Sequence, residues 1–428
     1  MTEEATRTAI EAVWRLESAR LLGGLVRVVR DVDLAEDLAQ EALVTALEHW
    51  PAEGIPKNPG AWLMATAKNR AIDSLRRRRM LERKHDVIEG DAFASTVPTL
   101  DVERTIDEDV GDDVLRLMLV ACHPVLSTEA RTALTLRLLG GLTTEEVARA
   151  FLLPEPTIAQ RIVRAKRTLA EARVPFEVPR GAELSARLPS MLEVIYLIFN
   201  EGYAATRGDD WVRLDLIEDA LRLGRILACL VPSDAEVHGL AALMELQASR
   251  SRTRVGPAGE PILLLDQDRS RWDRTLIQRG LAALARAESM AQPLGAYTLQ
   301  AAIAACHARA RASHETDWPK IGALYDALVE TTRSPIVELN RAVAVAMAFG
   351  PRAGLEIADA LLEEPSLAGY HLLPSVRADL LSKLGRAAEA RAEFERAASL
   401  AQNARERSLL LARAEGCIVD QAPPKVWS

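Results

Sequence analysis

Apolar residues recur along most of the chain at intervals of three and four positions, the spacing that places them on one side of an α-helix. Residues 33–50 have an apolar stripe on one face and acidic residues on the other. Residues 58–80 have an apolar stripe on one face and basic residues on the other faces. The helical pattern is almost continuous over residues 183–418. This periodicity predicts an all-α fold.

Residues 126–172 divide into three short helical segments, separated by a Gly-Gly pair and by the turn Pro-Glu-Pro at 154–156. Thr143 or Thr144 is expected to cap the middle helix, and Thr157 to begin the last one. The last helix is predicted to bury a stripe made of Ile158, Ile162, Ala165 and Leu169. A short helix followed by a longer one with an exposed basic face is the pattern of a helix-turn-helix.

Composition narrows the class of protein. The 428 residues are enough for two to four domains. Aromatic residues make up 4% of the chain, which argues against a large β-sandwich or barrel. The formal net charge of −8 excludes a protein that coats nucleic acid along its whole length, so any contact with nucleic acid has to be local.

Charge is segregated along the first half of the chain. Residues 57–85 hold nine basic and two acidic residues, whereas residues 86–113 hold one basic and ten acidic residues. Residues 126–173 are basic again, with eight bases and five acids. The acidic segment has the composition of a linker. It occupies a cationic groove when DNA is absent, or lies along the path of a nucleic acid and mimics it, or is a solvated, extended connection with neither role.

The sequence offers little for catalysis or metal binding. Its four cysteines are far apart and form no CxxC pair, and the HExxH, GxSxG and Walker A patterns are absent. No uninterrupted run of about 18 apolar residues occurs, and the acidic N-terminal segment has no apolar signal core. We therefore expect a cytoplasmic protein with no membrane span, no enzymatic activity, no metal and no cofactor.

Three motifs occur in one order within residues 1–175: AEDLAQEALVTALEHWP, then AWLMATAKNRAIDSLRRRR, then LTTEEVARAFLLPEPTIAQRIVRAKRTL. This part of the chain resembles the RNA polymerase sigma factors of the extracytoplasmic-function (ECF) type. The resemblance implies that the first motif binds the β′ coiled coil of core polymerase. It implies that the second melts and reads the −10 promoter element and that the third reads the −35 element. The implied partners are the core polymerase, through its β′ and β subunits, and promoter DNA.

The resemblance assigns three sets of site residues. The acidic set, for core polymerase, is Asp33, Glu36, Asp37, Gln40, Glu41 and Leu43. The −10 set, for the melted element, is Lys57, Asn58, Trp62, Lys68, Asn69, Arg70, Arg76, Arg77 and Arg79. The −35 set, for duplex DNA, is Thr157, Gln160, Arg161, Val163, Arg164, Lys166 and Arg167. Arg and Gln suit base edges, whereas Lys and flanking Arg suit phosphates.

Some positions carry a sharper expectation from the same resemblance. Asn69 matches the asparagine that lines a pocket for a flipped base, and its amide can hydrogen-bond a base edge. Gln160, Val163 and Arg164 occupy the base-reading positions for the −35 element. Ala159 and Gln160 replace the more usual basic residue and serine, so the −35 preference is expected to depart from the common one. The Pro-Glu-Pro turn departs from the usual small-residue turn as well.

The chain continues for about 250 residues beyond the usual end of such a protein. Residues 370–402 fit the tetratricopeptide pattern, with Gly385 at the turn between two helices. The small-small-aromatic-small positions are Ala378, Ala390, Phe394 and Ala397. Gly350 lies 35 residues before Gly385, close to the 34-residue period of such repeats. A C-terminal extension of this kind makes the chain similar to the sigma-factor group numbered 42.

A second candidate surface lies in the extension. Two stretches, 192–206 and 263–277, resemble the extension of that same group, and the second is dense in charge. The C-terminal set taken from them is Asn200, Glu201, Asp266, Asp268, Arg271 and Trp272. It is either an ion-paired interface or ligand pocket, or a plain surface turn with a helix cap. A protein or peptide ligand is a possible partner of the repeats.

The sequence thus predicts an alternative sigma factor with a fused helical domain that modulates its activity. The predicted domains are 1–85 (sigma region 2), 86–113 (acidic linker), 114–176 (sigma region 4), 183–289 (helical extension), 290–418 (tetratricopeptide-like repeats) and 419–428 (tail). A free-standing helix-turn-helix regulator with a repeat-type sensor is the alternative. A peptide-binding scaffold is disfavoured by the ordered motifs.

Overall fold

The computed structural model describes residues 3–89, 110–151, 153–179, 181–204, 212–257 and 260–419. Within these ranges the regular structure is helical, and the one β-type pairing is an isolated bridge between Val255 and Pro261. The predicted all-α fold is confirmed. No helix in these ranges combines the length and the apolar character that a membrane span needs.

The chain forms two compact units, Met1–Ile195 and Tyr196–Ser428. The helices of the first unit are α1 (Glu3–Val29), α2 (Val32–Glu53), α3 (Pro59–Glu89), α4 (Val110–Ala121), α5 (Thr128–Leu138), α6 (Thr144–Ala150) and α7 (Glu155–Glu171). The boundary between the units falls inside α8 (Ala182–Tyr203). The predicted linker 86–113 is flanked by helix on both sides, and its residues 90–109 lie outside the described ranges.

Helices α1, α2 and α3 pack on one another. Asp31 begins α2 by accepting a hydrogen bond from the backbone N–H of Leu34, and Asn58 does the same for Ala61 at the start of α3. The buried stripe of α2 is rich in alanine, which lets the neighbouring helices approach closely. Trp50 at the end of this stripe is buried and meets the ring of Trp62 edge to face, at 5.3 Å between centroids.

Helices α5, α6 and α7 form the predicted helix-turn-helix region. Thr143, one of the two predicted caps, begins α6 through a capping box with Glu146. Helix α7 begins at Glu155, so the predicted start at Thr157 is wrong by two residues. Pro156 fits this first turn because its missing N–H is one of the groups that have no partner within the helix there. The predicted buried stripe of α7 is confirmed.

Helix α4 joins the two parts of the first unit because it packs against α1. A Cβ atom on Gly23 of α1 would lie 2.8 Å from the backbone oxygen of Asp113, so only glycine permits this approach. The Asp113 carboxylate is buried and receives Arg116 at 2.6 Å and Arg27 at 3.4 Å. The helix-turn-helix and the first three helices are therefore held in one body.

The second unit continues the helical pattern, and its longest connection, residues 249–273, carries three short 3₁₀ turns. Its helices are α9 (Leu214–Leu230), α10 (Ala235–Ala248), α11 (Arg274–Ser289), α12 (Ala296–Arg309), α13 (Trp318–Thr332), α14 (Pro335–Phe349), α15 (Pro351–Ala360), α16 (Leu372–Lys383), α17 (Ala387–Leu400) and α18 (Ala404–Val419). From α12 onward each helix packs on the next. Gly350 and Gly385 turn between helices with φ of +102° and +75°, a backbone region that favours glycine. Ala378, Ala390, Phe394 and Ala397 are buried.

Candidate nucleic-acid interface

Helix α7 presents a polar face to solvent. Gln160, Val163, Arg164 and Arg167 are exposed, and Val163 has 64% of its surface accessible. Thr157 is exposed at the start of the helix. The face is available because the buried stripe occupies the opposite side. The side chains of Gln160 and Arg164 can hydrogen-bond base edges, and the apolar Val163 between them can contact a thymine methyl group.

One side of this face lines a cleft with the N-terminal end of α5. The cleft has a volume of about 360 Å³, and its wall includes Gln160, Arg161, Arg164 and Ser127. Glu129 lies in the first turn of α5, where its own backbone N–H and the Ser127 hydroxyl hold the pKa of the carboxyl low and the charge of Arg161 adds to the effect. Two guanidinium groups beside a helix N-terminus form an environment that suits a phosphate group.

Lys166 is separated from the rest of the −35 set. It lies two residues beyond Arg164, about 160° around the helix. Its ammonium group contacts Asp33 at 2.6 Å and Glu36 at 2.7 Å, both on α2, and its side chain is 12% exposed. Burial lowers the pKa of Lys166, but the two carboxylates outweigh it and raise the pKa above its usual value. In this structure Lys166 therefore faces α2.

Helix α3 carries a second exposed stripe. Ala65, Asn69, Asp73 and Arg76 are exposed at helical spacing, and Met80 continues the stripe with 60% exposure. Lys57 and Asn58 are exposed at the entry to the helix. The stripe places an amide, a carboxylate, a guanidinium and a thioether along one line, and the Asp73 carboxylate lies 4.0 Å from the Arg76 guanidinium.

The other members of the −10 set lie around this stripe. Trp62 is half-buried against Trp50, and Lys68 is half-buried on a different face from Asn69. Arg70 donates to Glu41 at 2.7 Å and to the Thr45 hydroxyl at 2.6 Å, so it links α3 to α2. The side chains of Arg77 and Arg79 lie outside the described residues.

The acidic set lies on α2, and three of its carboxylates are in contacts: Asp33 receives Lys166, Glu41 receives Arg70, and Glu36 is buried. Asp33, Asp37 and Glu41 are exposed, and Gln40 and Leu43 are half-buried. Glu36, predicted to lie on the exposed face, is buried at 8% exposure and contacts Arg137 of α5 at 2.5 Å.

The sequence analysis did not identify two residues on or next to α2, Val44 and Arg137. Val44 continues the exposed line of α2 with 51% exposure, and its i+4 spacing from Gln40 is the signal that could have identified it. Arg137 makes contact with α2, and no local sequence signal marks it.

The residues of the C-terminal set lie in different environments in the structure. Trp272 is buried at 4% exposure in the core between α10, α11 and α12, with the guanidinium of Arg269 5.2 Å from its ring centroid. Asp268 begins a 3₁₀ turn by accepting from Ser270, while Asp266 and Arg271 are exposed. Asn200 and Glu201 are half-buried near the end of α8, where Glu201 pairs with Arg213 at 3.5 Å.

Some of the charged residues in 266–274 stabilise the fold. Arg269 is buried and donates to the backbone oxygens of His307 and Ala310 and to the Thr316 hydroxyl, at 2.9–3.2 Å. It ties the turn to the end of α12 and to the segment that follows. Among the described residues no group of His, Cys, Asp and Glu is arranged to hold a metal ion.

Comparison with known families divides the chain in the same order as its motifs. Sigma-70 region 2 matches residues 14–80, and sigma-70 region 4 matches residues 116–169. A family of unknown function, DUF6596, matches residues 187–288. The first match contains α2 and the part of α3 up to Met80, and the second contains α7 up to Leu169, so both include the exposed faces described above.

Similar proteins fall into two kinds. An uncharacterised protein of Rhizobium meliloti (strain 1021) is 42% identical over 400 residues, which cover 92% of this chain and 93% of that protein. The RNA polymerase sigma-H factor of Pseudomonas aeruginosa is 32% identical over 162 residues, 37% of this chain and 82% of that protein. The probable ECF RNA polymerase sigma factor SigI of Mycobacterium tuberculosis is 30% identical over 175 residues, 40% of this chain and 57% of that protein. No solved structure matches the chain.

Proposed function

Because the chain belongs to the sigma-70 family of RNA polymerase sigma factors, we propose that it binds core RNA polymerase and directs it to promoters with a −35 and a −10 element. The observation that carries the proposal is the exposed face of α7, where Gln160 and Arg164 stand on the second helix of a helix-turn-helix. Such a helix enters the major groove with its first turns on the base edges.

At the −35 element, Gln160 and Arg164 read bases and Val163 meets a thymine methyl group. Gln suits adenine and Arg suits guanine, because each can form two hydrogen bonds with the base edge. Arg161 and the N-terminal end of α5 hold a backbone phosphate at the cleft between the two helices. Arg167 adds a further phosphate contact from the same exposed side.

At the −10 element, the exposed stripe of α3 receives the melted strand. Asn69 binds the edge of a flipped base, and Arg76 holds the backbone beside it. Lys57 and Asn58 extend the contact toward the loop that precedes α3. Trp62 packs its ring against Trp50 and so stabilises the part of α3 that carries the exposed stripe.

The exposed line of α2 binds core polymerase. Asp33, Asp37, Gln40 and Glu41 provide negative charge and hydrogen-bond acceptors, and Val44 adds an apolar contact. A line of this composition fits a basic, partly apolar helical surface. It fits the β′ coiled coil that the family resemblance implies.

We further propose that the second unit belongs to the group 42 type, is tetratricopeptide-like and modulates sigma activity. Consecutive packed helices with glycine turns at Gly350 and Gly385 support the repeat assignment. Such stacks form concave surfaces that take peptides or protein segments. The exposed Asp266 and Arg271 are available to a partner, whereas Trp272 serves the core.

In vitro transcription tests the proposal. The full-length protein is added to bacterial core polymerase on fragments of the host genome, and transcript starts are mapped. New starts that share two spaced sequence boxes are expected. Arg164→Ala should abolish these starts, whereas Arg149→Ala, an exposed arginine of α6 paired within its own helix to Glu145, should leave them. Specific binding of the free protein to duplex DNA, without new starts, would favour the helix-turn-helix regulator instead.

A further inference from the structure

Three basic residues of the second unit lie near the ends of α10 and α12. Arg250 follows the end of α10, Arg269 lies in the connection from α10 to α11, and His307 is in the last turn of α12. Arg269 is buried, whereas Arg250 and His307 are half-buried and so are reached from solvent. These three residues are named here the basic cluster.

The members of the basic cluster act on one another through contact and charge. The Arg269 guanidinium donates to the backbone oxygen of His307 at 3.0 Å. Burial lowers the pKa of Arg269, and the positive charge of Arg250 lowers it further. Burial is also the largest cause of the low pKa of His307, to which the charges of Arg250 and Arg269 add. Like charges shift one another's pKa in this way at short range.

Little negative charge offsets the basic cluster. Within the part of the chain that the structure describes, neither Arg250 nor Arg269 forms an ion pair with a carboxylate. Arg250 instead donates through Nε and Nη2 to the side-chain oxygen of Gln247, at 3.1 and 2.7 Å. The charge of Glu315 acts on Arg269, but Glu315 is exposed and its carboxylate accepts from the backbone N–H of Arg311.

Helix ends compensate part of this charge. Arg269 donates to the backbone oxygens of His307 and Ala310 at the end of α12, and Arg250 lies just beyond the end of α10. The dipole of a helix supplies roughly half a negative charge at its C-terminal end. Two such ends against two guanidinium groups leave about one positive charge, which favours an anion at the cluster.

Two polar atoms of the basic cluster are buried and have no hydrogen-bond partner among the described residues: Nε of Arg269 and Nδ1 of His307. The whole Arg269 residue is only 4% exposed. Buried polar groups in folded proteins are normally satisfied, so an exception calls for a bound group. Because Gln247 engages Nε and Nη2 of Arg250, the Nη1 group of Arg250 is left as a further donor.

We propose that the basic cluster binds the phosphate group of a small ligand, which is either inorganic phosphate or a phosphate ester. Arg250 and Arg269 supply positive charge and N–H donors, and Nδ1 of His307 supplies a third donor. Donors from three separate segments suit an anion with at least three oxygens, and guanidinium groups match the geometry of phosphate. The cluster lies within the second unit, so its ligand binding does not depend on the proposed sigma function.

Isothermal titration calorimetry of the full-length chain with inorganic phosphate tests the proposal, with sodium chloride of equal ionic strength as the blank. Saturable binding is expected. Arg250→Gln should weaken it about tenfold, because a hydrogen bond to a charged group is lost. Arg279→Gln removes an exposed positive charge of α11 and should bind as the wild type does. Equal affinity of the wild type and a folded Arg250 variant would overturn the proposal.

Nuclear magnetic resonance of the histidine side chains gives a readout on the wild-type chain, in case Arg250→Gln fails to fold. The loss of one signal in His307→Gln identifies His307. Inorganic phosphate should raise the pKa of His307, because a neighbouring anion favours the charged form of the ring. The exposed His314 should titrate equally in phosphate and in chloride. An unchanged titration of His307 in millimolar phosphate would overturn the proposal, even if heat were released elsewhere.

Adenosine monophosphate and acetate, used as competitors, identify the class of ligand. Tighter binding of adenosine monophosphate than of inorganic phosphate would support an ester, and the reverse order would support the free anion. Acetate offers only two oxygens and should bind more weakly than phosphate does. Tighter binding of acetate would overturn phosphate as the group that the basic cluster recognises.

Discussion

Arg131 of α5 and Glu193 of α8 form an ion pair at 3.1 Å. The Arg131 side chain is 11% exposed and also donates to the hydroxyls of Ser190 and Thr128. Ser190 in turn donates to the backbone oxygen of Cys122 at 2.6 Å. The first turns of α8 are thus part of the compact unit that contains the helix-turn-helix, although in sequence they begin the extension.

This relationship predicts how fragments behave. A fragment of residues 1–178 lacks Ser190 and Glu193, whereas a fragment of residues 1–204 retains both. The shorter one should be less stable by about 2 kcal/mol, because a mostly buried guanidinium loses its carboxylate. Urea unfolding followed by circular dichroism compares the two. In the longer fragment, Glu193→Gln should reproduce part of the loss; equal stability of all three would contradict the role of Arg131.

Gln160→Ala should change promoter preference without changing stability, because the side chain is exposed. Loss of a two-bond contact costs about 1–3 kcal/mol of discrimination at one base pair. Transcription from a panel of single-base variants of the −35 box measures this. Gln278→Ala, at an exposed position of α11, is the matched control. An unchanged preference profile would remove Gln160 from the base-reading residues.

Asn69→Ala should reduce promoter opening by roughly tenfold, since the amide compensates part of the few kcal/mol that base flipping costs. Permanganate reactivity of thymines in the −10 region reports opening. Asn340→Ala makes the same substitution at an exposed position of α14 and should have no effect. A normal level of opening in the Asn69 variant would show that another residue captures the base.

Trp272→Ala should destabilise the second unit by about 3–5 kcal/mol, the usual cost of truncating a buried tryptophan. Arg271→Ala alters the exposed neighbour and should stay within about 0.5 kcal/mol of the wild type. Urea unfolding of the full-length chain separates the two results. A Trp272 variant as stable as the wild type would return this residue to the candidate interface.

His307 predicts a dependence of stability on pH. Burial lowers its pKa to about 4, and the charges of Arg250 and Arg269 add to this. Below about pH 6.5 the unfolded chain binds a proton that the folded chain does not, so stability falls as pH falls toward 4. The loss from this group between pH 7 and pH 5 is about 2 kcal/mol.

The comparison of His307→Gln with the wild type at pH 7 and pH 5 isolates that contribution. The variant should lose less stability on acidification than the wild type does. His314→Gln, at an exposed position, should lose as much as the wild type. The idea fails if all three proteins follow the same pH curve.

Much of the fold follows from local pattern. The all-α class, the cap at Thr143, the buried stripe of α7 and the turn at Gly385 depend on residues close in sequence. Helical periodicity and capping chemistry act over a few residues, so a sequence displays them directly. The start of α7 was misplaced because Pro at the second helical position is as acceptable as Pro just before the helix.

The sequence by itself determined the helices and the exposed faces of α3 and α7, because these depend on spacing along one helix, and its three ordered motifs carried the resemblance to the sigma-factor family. Only the tertiary structure decided the partners of Glu36, Arg131 and Lys166. Those partners lie far away in sequence, and a charged residue on the outside of its own helix shows no local sign of the neighbour that buries it. For the same reason Trp272, taken as a surface candidate within a charged turn, proved to be core.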